Sequence, residues 1–133
     1  MTKSILCAID FSESSLHALQ WAAELSSQFK CHLTVLYPYR LLQTSKGDVV
    51  GVKQKNLELA NKKFEALKNE FLNGKVNSYN FTAEVGFLSD RIEDHIEKNS
   101  IMLMVLGKNM DSSSQDNLQD LINTISVPVL IVP

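Results

Sequence analysis

The sequence predicts a doubly wound α/β fold, a five-stranded parallel sheet with helices on both faces. Three observations lead there. Short apolar runs without alternation, such as Ser4 to Ile9 and Ile101 to Leu106, suit strands buried on both sides. Between such runs the apolar residues step by three and four, the period of a helix face. The two patterns alternate along the chain, and that succession calls for parallel strands joined by right-handed crossovers.

The elements follow in order. The first strand, Ser4 to Ile9, stops at Asp10-Phe11-Ser12. Ser12 is a good N-cap, and Glu13 suits the positive end of the helix dipole. Ala18, Ala22, Leu25 and Phe29 mark one face of the helix that follows. Cys31 to Tyr37 reads as the second strand, with Pro38 ending it. Tyr39 to Val52 has no strong period and carries Gly47 and Gly51, so a long surface loop is expected. Leu57, Ala60, Phe64, Leu67 and Phe71 form the clearest helical stripe, with Asn73-Gly74 as its C-terminal cap. Glu58 and Lys62 on its outer face stand in the favourable order for an ion pair one turn apart.

Tyr79 to Val85 is the third strand, ended by Gly86. Ser89 is expected to cap a short helix bearing Leu88, Ile92 and Ile96. Ile101 to Leu106 is the fourth strand, ended by Gly107. The serines 112–114 are placed to cap a last helix holding Leu118, Leu121, Ile122 and Ile125, and Val127 to Val132 is the fifth strand. Leu6, Ile9, Leu33, Val35, Leu103, Val105 and Leu130 are the expected core.

Length and composition bound the function. At 133 residues and 14.9 kDa the chain suits one domain, residues 1–133. With 44% hydrophobic and 21% charged residues it can build a core. Thirteen Lys plus Arg against fifteen Asp plus Glu leave a formal charge of −2, which argues against a nucleic-acid partner. The opening apolar run stops at Asp10, short for a signal peptide or a membrane span, so no membrane association and a cytoplasmic location are expected. Cys7 and Cys31 lack CxxC spacing, and neither a zinc site nor a disulfide is indicated.

The dinucleotide fingerprint GxGxxG, the phosphate loop GxxxxGK[ST] and the GxSxG elbow are absent. His17, His32 and His95 lie on separate elements without metal-ligand spacing, and His95 reads as a partly exposed helix residue. Lys62 and Lys63 read as the solvated side of their helix, and Trp21 as a packing or partner contact. In parallel sheets ligands bind beyond the carboxyl ends of strands, and that edge collects Asp10, Pro38, Gly86 and Gly107. Asp10 admits two readings. It accepts a hydrogen bond from a nucleobase or ribose, or holds a metal; or it helps cap the helix that starts at Ser12.

Several segments together resemble the universal stress protein family. Ile5 to Leu19 resembles its opening strand, Asp and Ser-rich helix start, and Leu33 to Pro38 its second strand. Glu84-Val85-Gly86 followed by Ser89 and Ile92, then Ile101 to Gly107, then Val127 to Val132 are similar to its later segments. The resemblance implies a sheet in the order 3-2-1-4-5 and a homodimer paired through the last strand, at Val129, Leu130, Ile131 and Val132. It also implies an ATP or AMP site formed by the Asp after strand one, the backbone at the end of strand two and a glycine-rich loop after strand four. Those parts fall on Asp10, on Tyr37 and Pro38, and on Leu106 and Gly107, with Ser113 and Ser114 as further candidates. Met110 stands where the loop's second glycine falls, and no glycine follows Gly107. Asp111 and Asp116 add negative charge where phosphates would lie.

Two functions follow. One is a non-enzymatic, dimeric stress-response domain with a degenerate phosphate loop. The other is an ATP- or AMP-binding switch, with slow hydrolysis at most. A receiver domain is set aside, since Val85-Gly86 stand where its acceptor Asp belongs. A flavodoxin-like site would use Ser12, Ser14 and Ser15 for a flavin phosphate.

Overall fold

The computed structural model describes residues 3–40, 49–108, 110 and 118–133, apart from the side chains of 49, 50, 52, 118 and 119. The elements run β1 (Ser4–Ala8), α1 (Glu13–Phe29), β2 (His32–Tyr39), α2 (Val49–Leu67), β3 (Tyr79–Val85), α3 (Leu88–Lys98), β4 (Ile101–Gly107), α4 (Leu118–Thr124) and β5 (Val129–Val132). The five strands form one sheet in the order β3-β2-β1-β4-β5, every pair parallel. This is the doubly wound topology expected from the resemblance.

Burial on both faces explains the unbroken apolar runs. Ile5 and Cys7 of β1, and Ile9 just after it, pack with Ala18, Leu19 and Ala22 of α1 and with Phe64 of α2. Leu6 and Ala8 turn the other way, to Leu88 and Ile92 of α3 and Leu121 of α4. Each apolar side chain in β1 therefore meets a helix-covered core, and alternation has nothing to mark.

Four expectations need correction. Pro38 does not end β2, which continues to Tyr39. The Ile9 N–H donates to the Leu36 carbonyl at 2.8 Å, so even-numbered β2 residues turn their backbone toward β1. The Gly86 N–H donates to the Tyr39 carbonyl at 2.9 Å, so odd-numbered ones serve β3. Pro38 is in the even set, and its missing N–H falls where β1 has already ended.

The expected loop from Tyr39 to Val52 is also curtailed, because Tyr39 belongs to β2 and α2 begins at Val49; the stretch 41–48 lies outside the described residues. A π-helical turn, Lys68–Leu72, extends α2 and buries Phe71 and Leu72 together before Asn73 closes it. Ser89 lies inside α3, whose N-cap is Phe87 in extended conformation without a side-chain cap bond. Finally, Leu103 and Leu130 are half-buried rather than core. Leu103 sits in the less covered amino half of β4 and Leu130 on an edge strand, positions that periodicity along the chain does not report.

Candidate functional site at the carboxyl edge

Asp10 follows β1 at the sheet's carboxyl edge, level with Pro38, as the Ala8–Leu36 register requires. Its Oδ1 accepts from the Ser12 N–H at 2.9 Å, and its own N–H donates to Ser15 Oγ at 3.2 Å. Ser12 caps α1 as expected, its Oγ accepting from the Ser15 N–H at 3.3 Å. Of the two readings of Asp10, the capping one is thus realised in the geometry. The turn also places Phe11 in the left-handed region, φ 64, where a bulky residue is uncommon.

That conformation swings the Phe11 ring onto an aromatic shelf. It meets Tyr37 edge-on with centroids 4.8 Å apart, and Tyr37 stacks on Tyr39 at 5.7 Å. Phe64 and Phe81 stack at 4.3 Å behind them, and Lys63 Nζ lies 5.3 Å from the Phe11 centroid. Lys63 is exposed on its helix, as expected, and its ammonium also lies over the Phe11 ring. Burial, and secondarily the Asp10 charge, push the Tyr37 hydroxyl above its ordinary range. Tyr39 is raised too, by burial first and then by Tyr37, and its buried hydroxyl has no hydrogen-bond partner among the described residues. Both phenols stay protonated at neutral pH.

Gly107 ends β4 beside this turn. A Cβ there would lie 2.6 Å from Ser14 Oγ and 2.7 Å from the Ser14 carbonyl oxygen. Only glycine lets the first turn of α1 rest on the end of β4, so its bare face meets protein backbone. Leu106 points into the α3/α4-side core and brings no side chain to the crevice. Met110 joins the same core at 7% exposure, and its N–H returns to the Gly107 carbonyl at 3.2 Å. Ser113 and Ser114, with Ser112, Asp111 and Asp116, lie outside the described residues.

Asp10, Tyr37, Pro38 and Gly107 are therefore brought to one edge. By ladder parity Pro38 turns a carbonyl, and no N–H, toward the space beyond β1. The crevice offers acceptors and aromatic faces, chemistry that suits a planar ring bearing donors.

Sequence reasoning missed the shelf and a second cluster. Nothing in Asp10-Phe11-Ser12 signals that Phe11 takes a left-handed turn. At the β3 edge, Glu84 Oε2 meets His95 Nε2 at 2.8 Å and accepts from the Thr82 hydroxyl at 2.9 Å. His95 is thus paired, its side chain 15% exposed. Among the described residues no group of three or more His, Cys, Asp or Glu is placed to hold a metal ion, and no helix is long and apolar enough to cross a membrane.

An all-parallel, doubly wound sheet whose polar residues gather beyond its carboxyl ends defines an α/β domain of the ligand-crevice class. The model of the universal stress protein family matches residues 1–133, and the chain belongs to that family. It is similar to a Burkholderia pseudomallei protein of the family at 20% identity, with a TM-score of 0.78 over 99% of this chain and 96% of that one. Universal stress protein UspA from Lactobacillus plantarum aligns at 17% identity and TM-score 0.75, covering 99% and 98%. A family protein from Arabidopsis thaliana with AMP bound aligns at 16% identity and TM-score 0.65, covering 98% and 90%. No curated protein matches the chain.

Proposed function

We propose that this chain is a non-enzymatic, dimeric regulatory domain of the stress-response kind, with a nucleotide site that has lost its phosphate-binding half. One observation carries the reading: Gly107, the glycine expected to admit phosphate oxygens, has its open face filled by Ser14. Two others support it. Met110 is a buried core residue at the place of the loop's second glycine, and the Asp10 carboxylate is engaged by the Ser12 amide. Association through β5 is supported by the place of that strand, an apolar edge of the sheet.

A second reading is favoured by the aromatic shelf. Phe11, Tyr37 and Asp10 suit the adenosine part of a nucleotide, and the Arabidopsis relative is a complex with AMP. On this reading AMP or adenosine binds as well as ATP, because the phosphates gain nothing. Calorimetric titration with adenosine, AMP and Mg²⁺-ATP tests both. The expected result is ATP binding no tighter than adenosine. A micromolar or tighter ATP constant, well below that for adenosine, would overturn the degenerate-loop reading in favour of the switch.

A further inference from the structure

α3 divides its charges between two flanks. Arg91 and Lys98 line a polar pocket beside Glu84, toward the β3 edge. Glu93 and Glu97 stand on the other flank, at a groove of about 310 Å³ between α3 and the end of α4. Ile96 and Ile125 give the groove an apolar floor, and Thr124 and Ser126 line it from the α4 side. Neither glutamate has an ion-pair partner among the described residues, and the Thr124 hydroxyl reaches Glu93 only at 3.4 Å. One turn apart, the two carboxylates repel each other, and Glu97 lies in the last turn, where the helix dipole favours a cation. α3 gains nothing from them. The groove thus joins an apolar floor to negative charge that no described cation meets. We propose that a second copy of this chain fills it, seating Leu59 of α2 on Ile96 and Ile125 while Lys55 and Lys62 meet Glu93 and Glu97. This contact lies away from β5 and does not depend on pairing there.

The occupant is argued from the surface of the chain itself. Three large apolar side chains are exposed among the described residues, Trp21, Phe29 and Leu59. Of these, only Leu59 has lysines one turn away on its own helix. Lys55 precedes it by four residues, and Lys62 and Lys63 follow by three and four, all exposed. Lys63 is engaged with the Phe11 ring. Lys55 and Lys62 have no ion-pair partner among the described residues, and Lys62 does not form the pair with Glu58 that their spacing allows. An apolar side chain between cations is the complement of an apolar floor between anions, the pattern of a helix laid into a groove.

One copy does not bring the two surfaces together. α2 packs through Phe64 on the face of the sheet that α1 covers, whereas Ile96 and Ile125 belong to the opposite face. The contact therefore joins unlike surfaces of two copies. Such a heterologous arrangement closes into a ring or extends into a chain. Its ion pairs are exposed, so the association is weak and strongest at low ionic strength.

Sedimentation velocity at about 0.01 M and about 1 M salt tests the proposal, since the screening length falls from about 30 Å to about 3 Å between them. The expected result is growth with protein concentration at low salt, beyond the size seen at high salt. Leu59→Ala should move the onset to about tenfold higher concentration or more. The double variants Lys55→Glu/Lys62→Glu and Glu93→Lys/Glu97→Lys should each stay at the high-salt size alone and associate when mixed. That association should be lost when both also carry Leu59→Ala. All five side chains are exposed, so circular dichroism should match the unmodified protein throughout. Sedimentation independent of ionic strength, or unaffected by Leu59→Ala, overturns the inference. Association lost in the glutamate variant but kept in the lysine variant assigns the groove to another occupant and overturns it equally. Pairing through β5 is read separately at high salt, so its failure and the failure of this contact are distinguishable.

Discussion

The two edges of the sheet are opposite in chemistry. β3 at one edge is seven residues long, and the face it turns to α3 is polar: Asn80, Thr82 and Glu84. Those side chains are tied to their neighbours. Asn80 Oδ1 accepts from Thr34 at 3.1 Å and meets His32 Nε2 at 2.6 Å, while Glu84 serves Thr82 and His95. β5 at the other edge has four apolar residues, and the nearest helix sets an exposed indole beside them. An edge strand offers unpaired backbone groups to any passing strand, and polar surroundings blunt that offer. Among the described residues polar side chains surround β3, whereas β5 is apolar throughout.

Interior positions set the scale against which both edges are judged. Leu33, fully buried in β2, is expected to cost about 2–5 kcal/mol when truncated to Ala, measured by denaturant unfolding. Leu103→Ala, at a half-buried position, should cost less, about 1–2 kcal/mol. Equal losses would mean that the sheet's amino half is as well covered as its middle.

A change of charge on each edge then separates the two. Leu130→Asp is expected to weaken self-association by roughly a hundredfold, seen as monomer in sedimentation at concentrations where the unmodified protein is dimeric. Glu84→Ala on β3 removes the acceptor shared by Thr82 and His95 and should cost about 1 kcal/mol of stability with no change in association. Were Glu84→Ala to alter the assembly and Leu130→Asp to leave it intact, the roles of the edges would be reversed. The smallest effect is expected at the central turn. Asp10→Asn keeps an oxygen acceptor for the Ser12 N–H and should stay within about 0.5 kcal/mol of the unmodified protein, whereas Asp10→Ala should cost about 1 kcal/mol. A larger loss for Asp10→Asn, read from thermal unfolding, would assign the carboxylate's charge a role beyond the cap.

The order of elements, the Ser12 cap and the burial of β1 were legible in the residues, because each rests on neighbours close in the chain. The apolar runs and the three-and-four stepping encode burial directly, and Asp10-Phe11-Ser12 encodes the end of a strand and the start of a helix. The length of β2 was not legible. Whether Pro38 breaks a strand depends on which neighbour its backbone faces and where that neighbour stops, and β1 lies far from it in sequence. The pairing of His95 with Glu84 likewise needs α3 laid over β3.

By itself the sequence determined the fold class, the family to which the chain belongs and the edge of the sheet where its polar residues gather. Periodicity and local capping are short-range properties, and a doubly wound sheet follows from them once crossovers are right-handed. Only the tertiary structure decided what those edge residues do. Gly107 is legible as a glycine, but that its open face meets Ser14 is a contact across the chain, set by the way α1 rests on the end of β4. Phe11, Tyr37, Tyr39 and Phe81 come from three separate segments and become one shelf only when β1, β2 and β3 lie side by side. Trp21 and β5 are remote in the chain and meet at one groove because α1 crosses the sheet toward its last strand, and that placement is a property of the packed layers alone.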